Sequence, residues 1–401
     1  MNAPAPETAR WLASAREVVP ASVEVLSNFA GLATDWRGFQ ARAAGTFYQT
    51  YEWCSSWQDT VGAANQIEPC IITGRDRFGR LLFLLPMCIR VSAGCRVLEW
   101  IATWQIGYGY GLFDRDFLPG APGWFATEGW RILAEHVQVD AVWLRSMPER
   151  LHGHPHPLTA WFSFAGRNRS YIMSLEGGYD ALYAAKRSPE SRRGNRKRDL
   201  KLASLGPITF GLPASIDDAK ARLEEMFQHQ AGRLGEAGIA NVFGEGERAF
   251  VQRLAAFTAP EQPGLLAFHL KVGGQMEAMM LGGYYDNTYW AMISSLGPGL
   301  ARRYSPGDAA LRRTIEACCK AGLKTFDFSS GDTAYKSHWA DEVIMLHDTI
   351  RATSVRGYPW ALVCTLTVLA KRTIKTNDVL WPLARWLRRL RARPAGDEPH
   401  V

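Results

Sequence analysis

The stretch from Gly297 to Asp341 reads GPGLARRYSPGDAALRRTIEACCKAGLKTFDFSSGDTAYKSHWAD. Gly297, Pro298 and Gly299 open it as a loop. Ser305 stands where a helix N-cap belongs, Pro306 suits the first turn, and Asp308 complements the positive end of the dipole, so the spacing predicts a helix over Pro306 to Ala321. Lys324 to Phe328 then alternates as a short strand and runs into Ser329-Ser330-Gly331-Asp332. Outward from this stretch, Thr288 to Ser295 reads as another strand. Leu265 to Val272 and Gln275 to Tyr285 form a hairpin turning at Gly273-Gly274. Helices over Ile216 to Leu234 and Gly246 to Phe257 precede the hairpin.

The same order recurs earlier in the chain. A helix at Thr50 to Val61 leads to apolar runs at Glu68 to Gly74 and Leu81 to Ile89, then a strand at Arg96 to Thr103, a helix from Gly123 to Val137 and a strand at Ala141 to Ser146. Each half is helices, hairpin, strand, helix, strand, which is the order of an α/β (α+β) layer with a mixed sheet flanked by helices. The repetition is one of elements and suggests an internal duplication. The polar run Gly166-Arg167-Asn168-Arg169-Ser170 interrupts the pattern and sets the boundary. The expected organisation is a disordered leader at 1–20, halves at 21–168 and 169–351, and a basic helical tail at 352–401.

Composition agrees with a globular chain of two domains: 401 residues, 47% hydrophobic and 21% charged. Fifteen tryptophans supply rings for cores or for grooves that take rings and acyl chains. The net charge of +7 is concentrated at Lys186 to Lys201 and at Arg385 to Arg393, and such density attracts anions or simply makes a solvated helix face. Seven cysteines without a CxxC pair, and a beginning that lacks a sustained apolar core, argue for reduced thiols in the cytoplasm. Trp360 to Ala370 is about half the length a membrane span needs. In the tail, Trp381, Leu383, Trp386, Leu387 and Leu390 recur at near-helical spacing with arginines between them, which suits peripheral contact with the inner face of an anionic membrane or packing on the protein itself.

Two clusters in the opening stretch carry chemistry. A helix entered through a glycine loop offers free N–H groups, and with Arg302 and Arg303 before it the segment Tyr304, Ser305, Gly307 and Asp308 suits a phosphate or pyrophosphate; many ordinary helices also begin with Ser-Pro. Asp327, between Phe326 and Phe328 at a strand's carboxyl end, stands where open α/β sheets put ligand-binding groups. Asp332, Tyr335 and Lys336 reach the same mouth through a following helical turn, or else Asp332 caps that turn while the other two pack.

These residues resemble the CelD/BcsL-like acetyltransferases, also described as BioF2-like acetyltransferase domains, a branch of the GNAT superfamily similar to the Fem peptidyltransferases. The matching motifs are Phe47-Tyr48-Gln49-Thr50-Tyr51-Glu52-Trp53 with Trp57, the hairpin ending in Leu85-Pro86, Ser305-Pro306-Gly307, and Phe326-Asp327-Phe328 through Gly331 to Tyr335-Lys336. Together they span Val23 to Asp341. The resemblance implies tandem GNAT-like halves and transfer of an acyl group from acyl-CoA, with acetyl-CoA as co-substrate and no metal, often in making cellulose or other exopolysaccharides. It places the acyl-CoA between splayed strands at Thr288 to Ser295 and Lys324 to Phe328, with the pyrophosphate at Tyr304 to Asp308. A hydroxyl or amine of a small-molecule or saccharide acceptor then attacks the thioester directly. In this reading Asp327 is the base with Asp332 second, Tyr335 protonates the leaving thiolate, and Lys336 holds negative charge. A Fem-like aminoacyl-tRNA-dependent transferase and a non-catalytic partner of a polysaccharide synthase are the alternatives.

The sequence departs from the family pattern at Gly107-Tyr108-Gly109-Tyr110-Gly111, where an acidic-aromatic pair is more usual; it reads as a groove loop or an ordinary turn. His152, His154 and His156 in HGHPHP read as an irregular surface loop rather than a metal site. Cys318-Cys319 lies inside a helix without an adjacent histidine, which disfavours a nucleophilic cysteine. The basic run lacks the interleaved aromatics of a single-strand platform, which argues against nucleic acid.

Overall fold

The computed structural model describes residues 18–376, apart from 162, 237–240, 242, 258–262 and 332. Most of the expected leader, the cluster Arg385 to Arg393 and Asp332 lie outside the described residues. Chain order begins with β1 (Ser22–Leu26), α1 (Leu32–Gln40), α2 (Tyr51–Trp57), β2 (Glu68–Arg75), β3 (Leu81–Ser92), β4 (Cys95–Trp100), β5 (Leu112–Phe113), α3 (Ala121–Trp124), α4 (Trp130–His136), β6 (Ala141–Pro148), β7 (Arg150–Leu151), β8 (His154–Pro155) and β9 (Ser163–Ser174). It continues with α5 (Tyr179–Lys186), α6 (Pro189–Ala203), β10 (Ile208–Gly211), α7 (Ile216–Glu236), α8 (Glu245–Leu254), β11 (Gly264–Val272), β12 (Gln275–Tyr285), β13 (Thr288–Leu296), α9 (Pro306–Lys320), β14 (Thr325–Ser330), α10 (Ala334–Ser337), β15 (Glu342–Ala352) and α11 (Gly357–Thr376).

The expected mixed α/β architecture of two similar halves is the observed one. Strands β1 to β4 form an antiparallel run closed by β6, which is parallel to β4. Strands β10 to β13 form a second such run, closed by β14 parallel to β13. Each parallel pair needs a crossover, supplied by α3 and α4 in one half and by α9 in the other. A single sheet results, in the order β1-β2-β3-β4-β6-β15-β9-β14-β13-β12-β11-β10, with β5 beside β3.

The joint at the centre was not legible in the sequence. Strand β9 follows the first half in the chain yet pairs with β14, and β15 follows the second half yet pairs with β6. The two exchanged strands then pair with each other antiparallel, from Thr349 opposite Ser163 to Glu342 opposite Ile172. The polar run at 166–170, read as an interruption, therefore lies inside β9, where Arg169 and Ser170 are bonded to β15 on one side and to the end of β14 on the other. Charged residues such as Asp348 and Arg351 similarly hide β15 from a hydrophobic pattern.

Packing joins the halves as well. Trp53 on α2 meets Phe250 on α8 edge to face, with ring centroids 4.8 Å apart. The Tyr285 hydroxyl donates to the carbonyls of Gln40 at 2.8 Å and Ala43 at 3.1 Å. The core that holds Trp36, Phe47 and Trp100 also holds Trp290 and Leu346. Because each half completes the other's sheet, the full chain is expected to unfold in one cooperative transition by circular dichroism and tryptophan fluorescence. Residues 18–168 and 169–376 produced separately should give no cooperative transition; two independent transitions in the full chain would show self-sufficient halves.

Candidate functional site

Strands β13 and β14 pair through Thr288 with Thr325, Tyr289 with Phe326 and Trp290 with Asp327, and then part. At the parting, Ser329 adopts a left-handed backbone with φ 58°, and the register of β14 on β9 shifts between Asp327 and Ser330. A serine in that region stores strain and persists only where its surroundings hold it. The opening leads into a cavity of about 840 Å3. Met292 and Ile293 line it from β13, Ser329 and Ser330 from β14, Tyr48, Trp53 and Trp57 from the first half, and Phe250 and Val251 from α8. Its volume and its mostly apolar wall with a few polar groups fit a small-molecule site.

Asp327 is fully buried just behind this wall. Its Oδ2 accepts from the Tyr108 hydroxyl at 2.6 Å and its Oδ1 from the Ser329 backbone N–H at 2.6 Å. The Tyr108 hydroxyl also bonds the Ser170 hydroxyl on β9. The Ser329 hydroxyl lies 3.3 Å from that of Tyr48, on the cavity wall. Dehydration pushes the Asp327 carboxyl up to about 7, against the opposing pull of the Tyr108 and Ser329 bonds and the Lys336 charge. Burial likewise raises the Tyr48 hydroxyl, which stays protonated at neutral pH.

The remaining residues of the reading are dispersed around this centre. Buried Lys336 donates from Nζ to the carbonyls of Ser329 at 3.2 Å and Ser330 at 2.8 Å, pinning the strained end of β14. Tyr335 packs edge-on against Phe328, with centroids 6.4 Å apart, and is not among the cavity's walls. Ser305 stands at the expected N-cap position of α9 but does not cap it: its backbone is left-handed, with φ 57°, and its side chain makes no capping bond. Capping needs an extended backbone at that position, and the tight turn over Leu300–Tyr304 delivers the chain to α9 in another conformation. Asp308 at the helix start is bonded to Arg312 at 2.9 Å, and Arg302 is 3.4 Å from Glu236. Gly307 packs against Leu296, and Arg303 is exposed. The basic helix α6 lies against this turn, with Lys201 Nζ 5.7 Å from the centroid of the Tyr304 ring.

Tyr48, Tyr108, Ser170 and Ser329 were not singled out for chemistry by the sequence. Tyr108 sits in the glycine-rich run that departs from the family pattern, and the flanking glycines explain themselves by contact. A Cβ on Gly107 would lie 2.1 Å from the Ser329 hydroxyl, and one on Gly109 would lie 2.2 Å from the Arg145 carbonyl. Spaced glycines around an aromatic residue were thus the available signal. The histidine run is not simply a surface loop: His156 is buried, with Nε2 3.0 Å from the Gly109 carbonyl and Nδ1 accepting from Leu158 N–H, and burial pulls it down to about 3. No metal-binding group of three or more His, Cys, Asp or Glu occurs among the described residues.

Residues 190–337 match the family model described as an acetyltransferase (GNAT) domain. No curated protein matches the chain. Among solved structures, FemX is similar at a TM-score of 0.56 and 10% identity, over 85% of this chain and 99% of that one. L-PGS from Bacillus licheniformis is similar at a TM-score of 0.50 and 11% identity, over 84% of this chain and 96% of that one. At these identities the likeness is one of fold. The chain thus has a GNAT acyltransferase fold, and the matched stretch contains the splayed strands, the α9 start and Asp327.

Burial of Asp327 predicts an inverted pH dependence of stability. Unfolded, the carboxyl titrates near ~4; folded, it titrates at about 7. Between those values the folded state binds more protons, so stability falls as pH rises through the window. Asp327→Asn should remove this contribution, leaving the variant more stable relative to the wild type at pH 8 than at pH 5 in urea titrations. An equal difference at both pH values would show that Asp327 is ionised throughout.

Proposed function

We propose that the protein transfers an acetyl or other acyl group from acyl-CoA to a hydroxyl or amine of a saccharide or other small acceptor, in building polysaccharide or cell envelope, as the CelD/BcsL-like resemblance implies. The observation that carries this reading is the parting of β13 and β14 onto a cavity whose wall bears the Tyr48–Ser329 hydroxyl pair, backed by Asp327. The acyl arm of the donor lies in that opening, and its phosphates meet the N–H groups at the start of α9 with Arg302, Arg303 and the face of α6. The acceptor's nucleophile attacks the thioester carbon, the carbon–sulfur bond breaks, and the acceptor's proton is passed to the protein while the thiolate regains one.

The residues on the wall support a finer division of roles than the sequence reading. Tyr48 and Ser329 are the hydroxyls that can touch reacting atoms, so Tyr48 takes the proton-donor role first read for Tyr335. Asp327 does not reach the cavity: it holds Ser329 through the backbone N–H and acts as an acid-base group only through the Tyr108 hydroxyl. Turnover should therefore fall as pH drops through about 7. Asp327→Asn should lower turnover by roughly 100-fold with acetyl-CoA affinity nearly constant. A variant that is destabilised yet fully active would end the catalytic claim.

Donor binding is checked by calorimetry with acetyl-CoA. The Arg302→Ala/Arg303→Ala variant should bind about tenfold or more weakly. Ile293→Trp, which fills the opening, should abolish binding. No binding by the wild type, together with binding of aminoacyl-tRNA along the exposed Arg193 and Arg196 of α6, would favour the Fem-like alternative.

The place of action belongs to the same proposal. No helix among the described residues is long and apolar enough to cross a membrane. Helix α11 exposes Tyr358, Leu362, Val363, Leu366 and Leu369, an apolar face ahead of its basic residues Lys371, Arg372 and Lys375. An apolar stripe leading into an arginine-rich segment suits an anionic membrane surface. Leu362→Asp/Leu366→Asp, and truncation after Asn377, should each abolish co-sedimentation with vesicles containing phosphatidylglycerol; pelleting equal to the wild type would refute membrane contact.

A further inference from the structure

The first half has its own parting of parallel strands. Strands β4 and β6 pair only through Val97 with Ala141 and Leu98 with Val142. Beyond them lies a second cavity, of about 320 Å3, lined by Arg145 and Ser146 of β6, Asn168 of β9, Asp348 of β15 and Lys371 of α11. It shares Trp104, Ile106 and Ser330 with the main cavity, so the two spaces meet beside the candidate reaction centre.

Arg145 is the unusual group in this space. Its guanidinium carbon lies 3.6 Å from the centroid of the Trp104 ring and 3.4 Å from that of Trp143, in the corner between two indoles set 78° apart. It makes no hydrogen bond or ion pair with the described residues, and its Nε is buried without a partner. The acids that face it are engaged elsewhere: Glu99 takes both bonds from Arg90, at 3.1 and 2.7 Å, and Asp348 accepts from the Ser146 N–H at 2.9 Å. Dehydration pulls Arg145 down to about 10, which leaves it a cation at neutral pH. A partly buried cation without a counter-ion is costly, and ring contacts offset only part of that cost. Faces covered by indoles and N–H groups lacking acceptors are the arrangement in which arginine takes an oxyanion in bidentate fashion.

We propose that this second cavity binds a carboxylate or phosphate group of the acceptor, held by Arg145 and Lys371, with the acceptor's nucleophile reaching past Ser330 into the main cavity. The assignment of the ligand as acceptor rests on the acyl-transfer reading; the anion site itself does not. The ε-ammonium of Lys371, on α11, supplies a second positive charge to the cavity.

The site is tested by calorimetry on the full chain, without acyl-CoA, using inorganic pyrophosphate and glutarate as separate probes. At least one should bind with one-to-one stoichiometry, and the preferred probe distinguishes a phosphate from a carboxylate. Arg145→Gln should weaken binding about tenfold or more. Lys371→Ala, at an exposed position that leaves folding intact, should weaken it severalfold, while Arg302→Ala/Arg303→Ala should leave it unchanged. Neither probe binding the wild type, or wild-type affinity in both the Arg145 and Lys371 variants, would overturn the proposal. So would affinity lost only in the Arg302/Arg303 variant. Acetyl-CoA binding measured on the same variants separates the two claims: a chain that binds pyrophosphate through Arg145 but ignores acetyl-CoA keeps the anion site and loses the donor reading.

Discussion

The antiparallel pairing of β9 with β15 at the middle of the sheet is the constraint on which the rest depends. Each strand leaves its own half to complete the other, so β6 and β14 flank the same joint. Both partings of parallel strands consequently open toward the joint, and their cavities share Ser330 as a wall. Strand β9 carries Ser170 to the Tyr108 hydroxyl, and β15 carries Asp348 to the backbone beside Arg145. Without the exchange, the halves would be two separate sheets with exposed edges, a liability that proteins cover or pair.

The energetic centre is the carboxyl of Asp327. Trp290, opposite it on β13, offers no solvation, yet two short hydrogen bonds reach the buried group from Tyr108 and Ser329. One of those partners comes from the opposite half, so the group's protonation depends on the two halves being docked. Its backbone bond also holds Ser329 in a left-handed conformation, helped by Lys336 on the adjacent carbonyls. A strained residue held through both its N–H and its carbonyl at a cavity wall is preorganised, since its hydroxyl needs little movement to meet a ligand.

Much of the element order was legible in the sequence because its signals are local. The hairpin turning at Gly273-Gly274, the long helix from Ile216 and the helix from Pro306 follow from turn residues and apolar spacing, and they stand where that spacing placed them. The two strands in the middle were missed because their sides face neighbours in a polar joint, so Arg169, Asp348 and their like replace the alternation of a half-buried strand. The Ser305 cap was misread for a related reason. Residue type names a preference for capping, but the preceding turn sets the backbone angles that allow it.

By itself the sequence determined the two-fold recurrence of elements, the acid set between phenylalanines at a strand end, and the glycine loop that opens α9. These depend on residues near in the chain, where spacing and propensity act directly. Only the tertiary structure decided that Tyr108 is the hydroxyl partner of Asp327 and Ser170 that of Tyr108, that Tyr48 rather than Tyr335 faces the cavity, and that Arg145 stands without a counter-ion between two indoles. Each of those facts joins residues separated by long stretches of chain. Their proximity comes from the exchanged strands and the joining of the two halves in one sheet, which no local pattern encodes.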